Sequence, residues 1–510
     1  MTDVRDTAEG AQRPDTGQPA PRPRAPRAFA IAALLAAAFA ASFLPGERPG
    51  LGVLVVGLVV AGIAAVLAWP PTPWGLVLGA LGLGLAAMVV LRGAPWLVAI
   101  DLAAALGLGV LAIMRSTRWG EMAEAGFLAV ARAPRAPAFL LRGIATGPDS
   151  GSRRSWSPAL RGAVIAAALL LLFGSLFAAA DRAFAQLAED YLLPSWSLEL
   201  LPARLFAFVA VAVLAGTLGL LAPRYADAGP GGAGLLKALR LGTSEPRRLG
   251  RVEWIVPLIL LDLLFALFVT VQATVLFGGD EHVLTTAGLT YADHARQGFF
   301  QLLTVGALTL GVVAAAARWA DRRGARDERL LKALLGVLCG LTLVVLASAL
   351  RRLALYEDAF GLTLARFVAH EAVLWIGGLL VLVSVAGATL RTDWLPRVAV
   401  VFSAAVLLVG SISDPEARIA GVNVDHWQET GRIDIEYLGA LGPDAIPALV
   451  ALPRALRSCV LPAIVGEIRP PDGLWGWNLA RDRARESIRG LTLTSSLCRP
   501  DRQPVPLMSR

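Results

Sequence analysis

The stretch VPLILLDLLFALFVTVQATVLFGG, Val256 to Gly279, decides the fold. It is apolar on every face rather than along one stripe, and only Asp262 interrupts it with a charge. A soluble surface helix shows water a polar side, whereas a run of about 20 apolar residues is what crossing a bilayer demands. The pattern recurs near 28–44, 51–69, 73–91, 95–114, 160–180, 203–222, 252–277, 299–317, 333–350, 372–390 and 396–411. These runs lack the polar–apolar alternation of barrel strands. The expected architecture is all-α: a polytopic transmembrane helix bundle of about eleven spans with a small C-terminal helical extracytoplasmic domain.

Composition agrees. Of 510 residues, 56% are hydrophobic and 17% charged, against about 25% charged in soluble domains. The net charge of +8 comes almost wholly from arginine; Lys237 and Lys332 are the only lysines. With so much Ala and Gly, this reads as a coding bias, and no nucleic-acid partner is expected. The basic residues fall in alternate loops. With the N-terminus in the cytoplasm, the cytoplasmic segments hold 26 Lys and Arg and the outer loops hold 8, as the positive-inside rule requires. The expected location is the cell (inner) membrane, multi-pass, with the C-terminus outside.

Five units follow. Residues 1–27, rich in Pro, Arg and Asp, form a disordered cytoplasmic tail. Residues 28–114 form a four-span unit, 115–159 a cytoplasmic Arg-rich loop, 160–411 a seven-span core and 412–510 an outer helical domain. The first span carries AAAFAAS and looks like a signal peptide, but its long acid-bearing tail favours an uncleaved span. In the outer domain Ser413 is the expected N-cap of a helix with Glu416 as its capping partner. Two short helices are expected over Asp434–Leu452, with Asp444 opening the second, and a third over Trp475–Leu491. Trp475 and Trp477 suit either a headgroup anchor or the domain's own core. Cys459 and Cys498 both fall in this outer segment, where disulfides persist, so they form a candidate bridge or two buried thiols.

Ionisable groups inside spans are expensive and point to function. Asp262 is the deepest, Gln272 shares its span, and Asp101 lies in the fourth span. Each also has a structural reading as a helix–helix hydrogen bond. On the outer side GLTYADHARQGFFQLL, Gly288 to Leu303, concentrates Tyr291, Asp293, His294 and Arg296 beside the lipid, and Arg366 stands in a comparable place. The four histidines, His282, His294, His370 and His426, share that side with no recognised ligand spacing, so no metal is expected. The chain has no GxxxxGK[ST], HExxH, CxxC or GxSxG motif, each of which carries a defined chemistry. No catalytic residue and no cofactor are expected.

The succession VQATVLFGG (271–279), LTYADHARQGFFQLL (289–303), LYEDAFGLTLAR (355–366) and GRIDIEYLGALGPDAIPAL (431–449) resembles a bacterial domain-of-unknown-function membrane family, the one numbered 4173, whose close relative is numbered 4153. The resemblance spans about residues 150–450, with Phe360 where the family pattern has Tyr. It implies a polytopic bacterial envelope protein and carries over no catalytic residues. Gly288-Leu289-Thr290 and Gly361-Leu362-Thr363 each precede an inward span, which suggests related half-units.

Three functions remain in view. The first is a small-solute or ion permease using Asp262 and Gln272. The second is a non-catalytic envelope scaffold or sensory partner that binds an envelope protein through the outer domain. The third is a membrane enzyme acting on a lipid-linked substrate. All three place the chain in a lipid bilayer.

Overall fold

A computed structural model describes residues 23–145, 200–223, 249–277, 299–321, 324–389 and 392–491. These residues are helical, with no strand among them beyond one isolated bridge, Leu249 to Ala320. Numbered in chain order, the helices to the end of the last span are α1 (Arg27–Phe43), α2 (Leu51–Leu67), α3 (Pro73–Leu91), α4 (Pro95–Met114), α5 (Trp119–Arg132), α6 (Ala136–Ile144), α7 (Leu201–Leu221), α8 (Arg251–Phe277), α9 (Phe299–Trp319), α10 (Ala325–Phe360), α11 (Leu364–Thr389) and α12 (Leu395–Ile412). Eight of them, α3, α4 and α7 to α12, are long and apolar enough to cross a membrane, and α1 and α2 are shorter but equally apolar. They match ten of the expected runs; the run at 160–180 lies outside the described residues.

Proline and polar caps start these helices. The Thr72 hydroxyl accepts from the Gly75 N–H (3.0 Å) with Pro73 in the first turn of α3, where the missing N–H costs nothing. Proline also stands in the first turn of α4, α7 and α12. One expectation changes at α10. Its 36 residues extend about 54 Å at ~1.5 Å per residue, well past the roughly 30 Å hydrocarbon layer. The outer loop expected over 351–371 is therefore mostly helix. Only Gly361 to Thr363 form the turn, because Gly361 takes φ +73°, which a residue with a Cβ adopts at a cost.

The span ends sort onto two faces. The turns at 44–50, 92–94 and 361–363 all meet the C-terminal domain, and Gly46 lies against Leu200 at the start of α7. On the opposite face, Arg115 donates to the carbonyls of Ala68 (3.0 Å) and Pro70 (2.8 Å). There too Leu249 bridges the end of α9, and Arg251 Nε lies 3.0 Å from Asp327. Residues 145 and 200 thus sit on opposite faces, and the described spans alternate in direction between them.

The C-terminal domain contains α13 (Pro415–Thr430), α14 (Ile435–Gly439), a 3-10 turn Pro443–Ala445, α15 (Ile446–Leu449), α16 (Arg454–Ile468) and α17 (Leu479–Ser487). Its core, built on Ile419, Ile446, Leu449, Leu461 and Ile468, takes in Leu362 and Phe367 from the α10–α11 turn. Several local expectations shift. Asp414, not Ser413, caps α13 by accepting from Ala417 N–H (3.4 Å), while the Ser413 hydroxyl turns back to the Gly410 carbonyl (2.7 Å). Glu416 accepts instead from Gly442 N–H (2.8 Å). The third expected helix is shorter, because Asn478 caps α17 by accepting from Arg481 N–H (3.1 Å). Helix α16, which runs on through Pro462, was not anticipated.

Trp475 is a docking residue rather than a headgroup anchor. Its ring packs edge-on against Phe39 (4.8 Å between centroids) and beside Phe43 (5.3 Å) at the end of α1. The carbonyls of Trp475 and Trp477 accept from Gly52 N–H (2.7 Å) and Leu51 N–H (3.0 Å). A Cβ on Gly50 would collide with the Gly476 and Trp477 carbonyl oxygens, whereas one on Gly57 would meet nothing within 4 Å. Overpacking of this kind costs about 1–3 kcal/mol. Gly50→Ala should therefore raise the rate at which a protease clips residues 413–491 in detergent-solubilised protein by roughly an order of magnitude, and Gly57→Ala should leave it unchanged.

Candidate functional site

Polar side chains gather where the spans reach the C-terminal domain. At the α10–α11 turn Asn423 Nδ2 donates to the Leu362 carbonyl (2.6 Å) and to Ile419 O (2.8 Å). The Asn423 side-chain oxygen sits where a Cβ of Gly361 would be, a second reason for glycine there. The Tyr437 hydroxyl accepts from Leu364 N–H (2.7 Å), one of the first-turn donors that a helix cannot satisfy internally. Arg366 donates to the Gly361 carbonyl and lies over the Tyr356 ring, 4.1 Å from its centroid. Two motifs separated in sequence, 355–366 and 431–449, are thereby joined. The 271–279 motif reaches the same helix: Gln272 Oε1 accepts from Arg352 (2.6 Å), three residues before the 355–366 motif. Gln272, expected inside the membrane, is thus tied to an arginine in the extended end of α10. One helical turn further on, His370 Nδ1 lies 3.1 Å from Glu357.

A second junction forms at the α3–α4 turn. Arg92 Nε donates to the Ser411 carbonyl (2.8 Å), one terminal nitrogen donates to the Ile412 carbonyl (2.5 Å), and the other to the Asp414 carboxylate. Together these satisfy two of the carbonyls orphaned where α12 ends. Asp444 accepts from Gly93 N–H (2.6 Å), and Asn478 Nδ2 donates to the carbonyls of Val89 (3.0 Å) and Arg92 (2.8 Å). Asp101, fully buried in α4, accepts from the Ser411 hydroxyl (2.8 Å). That pairing gives Asp101 a structural task at the top of α12.

The acids of this junction share a low-dielectric site. Burial pushes the Asp444 carboxyl up to about 7, the negative field of Asp414 adds to this, and the Gly93 N–H opposes it. Burial also raises Asp414, against the pull of Arg92, and raises Glu416, against its bond from Gly442 N–H. Asp414, Glu416 and Asp444 face one another with Arg92 among them, while Arg483 and Glu467 stand close enough to act on Asp414 and Glu416 respectively.

Asp262 is different. The exposed residues of α8, among them Val256, Leu260, Leu263 and Leu267, make one lipid-facing side. Asp262 stands with the buried Trp254 and Leu258 on the other side, which packs on α9 and α10. It is 8% exposed, and neither carboxylate oxygen has a hydrogen-bond partner among the described residues. Nearby polar side chains are few. The Thr342 hydroxyl donates to Leu338 O (2.7 Å) and lies 3.3 Å from the Thr309 hydroxyl. The Cys339 thiol shares a hydrogen bond with Ser384 and lies within the electrostatic reach of Asp262.

The structure ties Gln272 to Arg352 and Arg366 to the α10–α11 turn, gives Asp101 a partner and leaves Asp262 without one among the described residues. Tyr291, Asp293, His294 and Arg296 lie outside the described residues, as do the Gly288–Thr290 half-unit and Cys498. Cys459 is disulfide-bonded, and Cys339 is free and buried. Among the described residues no three His, Cys, Asp or Glu side chains are grouped to hold a metal ion. Sequence reading passed over Arg92, Asn423, Tyr437 and Asp444 as site residues. Arg92 had a signal, since it is an arginine in a three-residue turn between two spans, on the side poor in arginine.

A family model described as a domain of unknown function, DUF4153, matches residues 77–452. The match begins within α3, so it takes in most of that helix and all of α4, where no motif was recognised. No curated protein and no solved structure matches the chain.

The Asp444 environment has a pH consequence. Its folded carboxyl titrates above the ordinary carboxylate range, so its contribution to docking is full below about 4 and is lost as pH rises through about 7. Protection of residues 413–491 from proteolysis should fall between pH 5 and pH 8. Asp444→Asn keeps an acceptor for Gly93 N–H and should flatten that dependence; an equally steep profile would assign the titration elsewhere.

Proposed function

The chain belongs to the DUF4153 family, and from that premise we propose that it is a permease-like protein that moves a proton or small cation, with Asp262 as the titrating intramembrane group. One observation carries this reading. Asp262 is buried on a packed face of a 27-residue apolar helix, about 16 Å from its start at ~1.5 Å per residue, with no hydrogen-bond partner among the described residues. An unpartnered acid in that position costs several kcal/mol, and a structural role would supply a partner, as Ser411 does for Asp101. The hydroxyls of Thr309 and Thr342 and the Cys339–Ser384 pair supply polar stepping points among α9, α10 and α11. Gln272, Arg352 and Arg366 stand toward the outer end of the route, with Tyr291, Asp293, His294 and Arg296 assigned to its rim. Loop charge supports an inner-membrane location with the N-terminus in the cytoplasm. The motif string supports a bacterial origin and kinship with the neighbouring family numbered 4173.

The test is proton flux into proteoliposomes containing the full-length chain and a trapped pH indicator. Asp262→Asn should abolish flux with normal incorporation, and Asp101→Asn should retain most of it. Equal flux in the Asp262→Asn protein, or wild-type flux no greater than in protein-free vesicles, defeats the reading.

A second reading is favoured by the clamping of the C-terminal domain onto three interhelical turns, which makes it a rigid platform with Leu474 (68% exposed) projecting from it. Under that reading the protein is an envelope scaffold, and Asp262→Asn is tolerated while residues 412–510 are required.

A further inference from the structure

Residues 115–145, read from sequence as part of an Arg-rich loop, form two consecutive helices with an apolar face that no described residue covers. In α5, Trp119, Ala123, Gly126 and Val130 are exposed at steps of four, three and four residues, which is one face of a helix. In α6, Pro137, Leu141 and Ile144 continue the pattern. Trp119 is 55% exposed and Val130 76%.

The opposite side of α6 fixes its height in the membrane. Phe139 packs against Phe29 near the start of α1 (6.3 Å between centroids). A Cβ on Gly216 or Gly219 of α7 would press on Ala136, or on the Phe29 and Phe139 rings. Gly216 and Gly219 lie five and two residues before Leu221, the end of α7. That places α6 roughly 3–8 Å inside the span end at ~1.5 Å per residue, the depth at which an interfacial amphipathic helix lies. Next to this contact α1 turns Ile31 and Leu35 outward, so the exposed stripe continues a surface that already faces lipid.

Charge selects the lipid. Arg118 and Arg135 are exposed and Arg142 is half-buried, all within residues 118–142 of this helical pair. Arg132 is committed to the Leu220 carbonyl (2.6 Å). Of the two acids, Glu121 is spent on the N–H groups of Thr117 (2.8 Å) and Arg118 (3.1 Å), where a helix start favours it. We infer that α5 and α6 form an interfacial helical pair whose apolar stripe enters the headgroup–acyl boundary and whose arginines bind anionic phospholipid.

The test places a photo-crosslinking benzoylphenylalanine at Val130 or at Leu141 of the full-length protein. The protein is reconstituted in vesicles of phosphatidylethanolamine and phosphatidylglycerol. Both positions should yield lipid adducts, with phosphatidylglycerol enriched roughly fivefold or more, the effect one arginine has near an anionic surface. Arg118→Gln, Arg135→Gln and Arg142→Gln together should abolish the enrichment while adducts persist. Covalent dimers in place of lipid adducts would mean that a second copy covers the stripe and would overturn the inference. So would no lipid adduct at either position, and equal yields from both lipids would overturn the anionic assignment.

Discussion

Arg92 holds the two parts of this protein together. It is the first residue after α3, and it reaches the carbonyls that end α12, the carboxylate that caps α13 and the neighbourhood of Asp444. A guanidinium presents five donors in a rigid fork, and here that fork joins the end of the last span to the turn between α3 and α4. The placement of the C-terminal domain follows from this. With α12 fixed against α3 and α4, the domain meets the other turns of the same face, and Asn423, Tyr437 and Trp475 secure it there. A lysine at position 92 would supply charge without the fork and would leave carbonyls at the α12 end unpaired.

Three buried aspartates show how surroundings assign roles to one residue type. Asp101 is wholly buried and bonded to Ser411, so it belongs to the packing of α4 on α12. Asp444 is bonded to Gly93 but crowded by Asp414 and Glu416, so it holds the junction and responds to protons there. Asp262 is buried with no hydrogen-bond partner among the described residues, a costly placement for an ionisable group inside a membrane. The three cannot be ranked by depth or by neighbouring sequence. They differ in what other helices bring to them.

Much of the architecture was readable from the residues. The spans were, because each depends on a contiguous run whose transfer into lipid is set residue by residue. The expected edges of α10 were not. LYEDAF is polar enough to read as loop, yet it continues as helix because Tyr356 packs on Phe360 (4.9 Å between centroids) and Arg366 lies over Tyr356. Ser413 was the natural cap by local pattern, but Arg92 draws Asp414 into that place. Trp475 and Trp477 looked equally suited to lipid or to a core, and the fold gave Trp475 the aromatic end of α1.

By itself the sequence determined that this chain is a helical bundle whose long apolar segments suit a bilayer, and that the loops between them alternate between richer and poorer in basic residues. Those properties are local: they follow from apolar run length and from the arginines beside each run. Only the tertiary structure decided which polar groups are joined. Asp101 finds Ser411 310 residues away, Arg92 finds Asp414 322 away, and Asn478 reaches Val89 across 389. Partners at such separations meet only when the spans have packed.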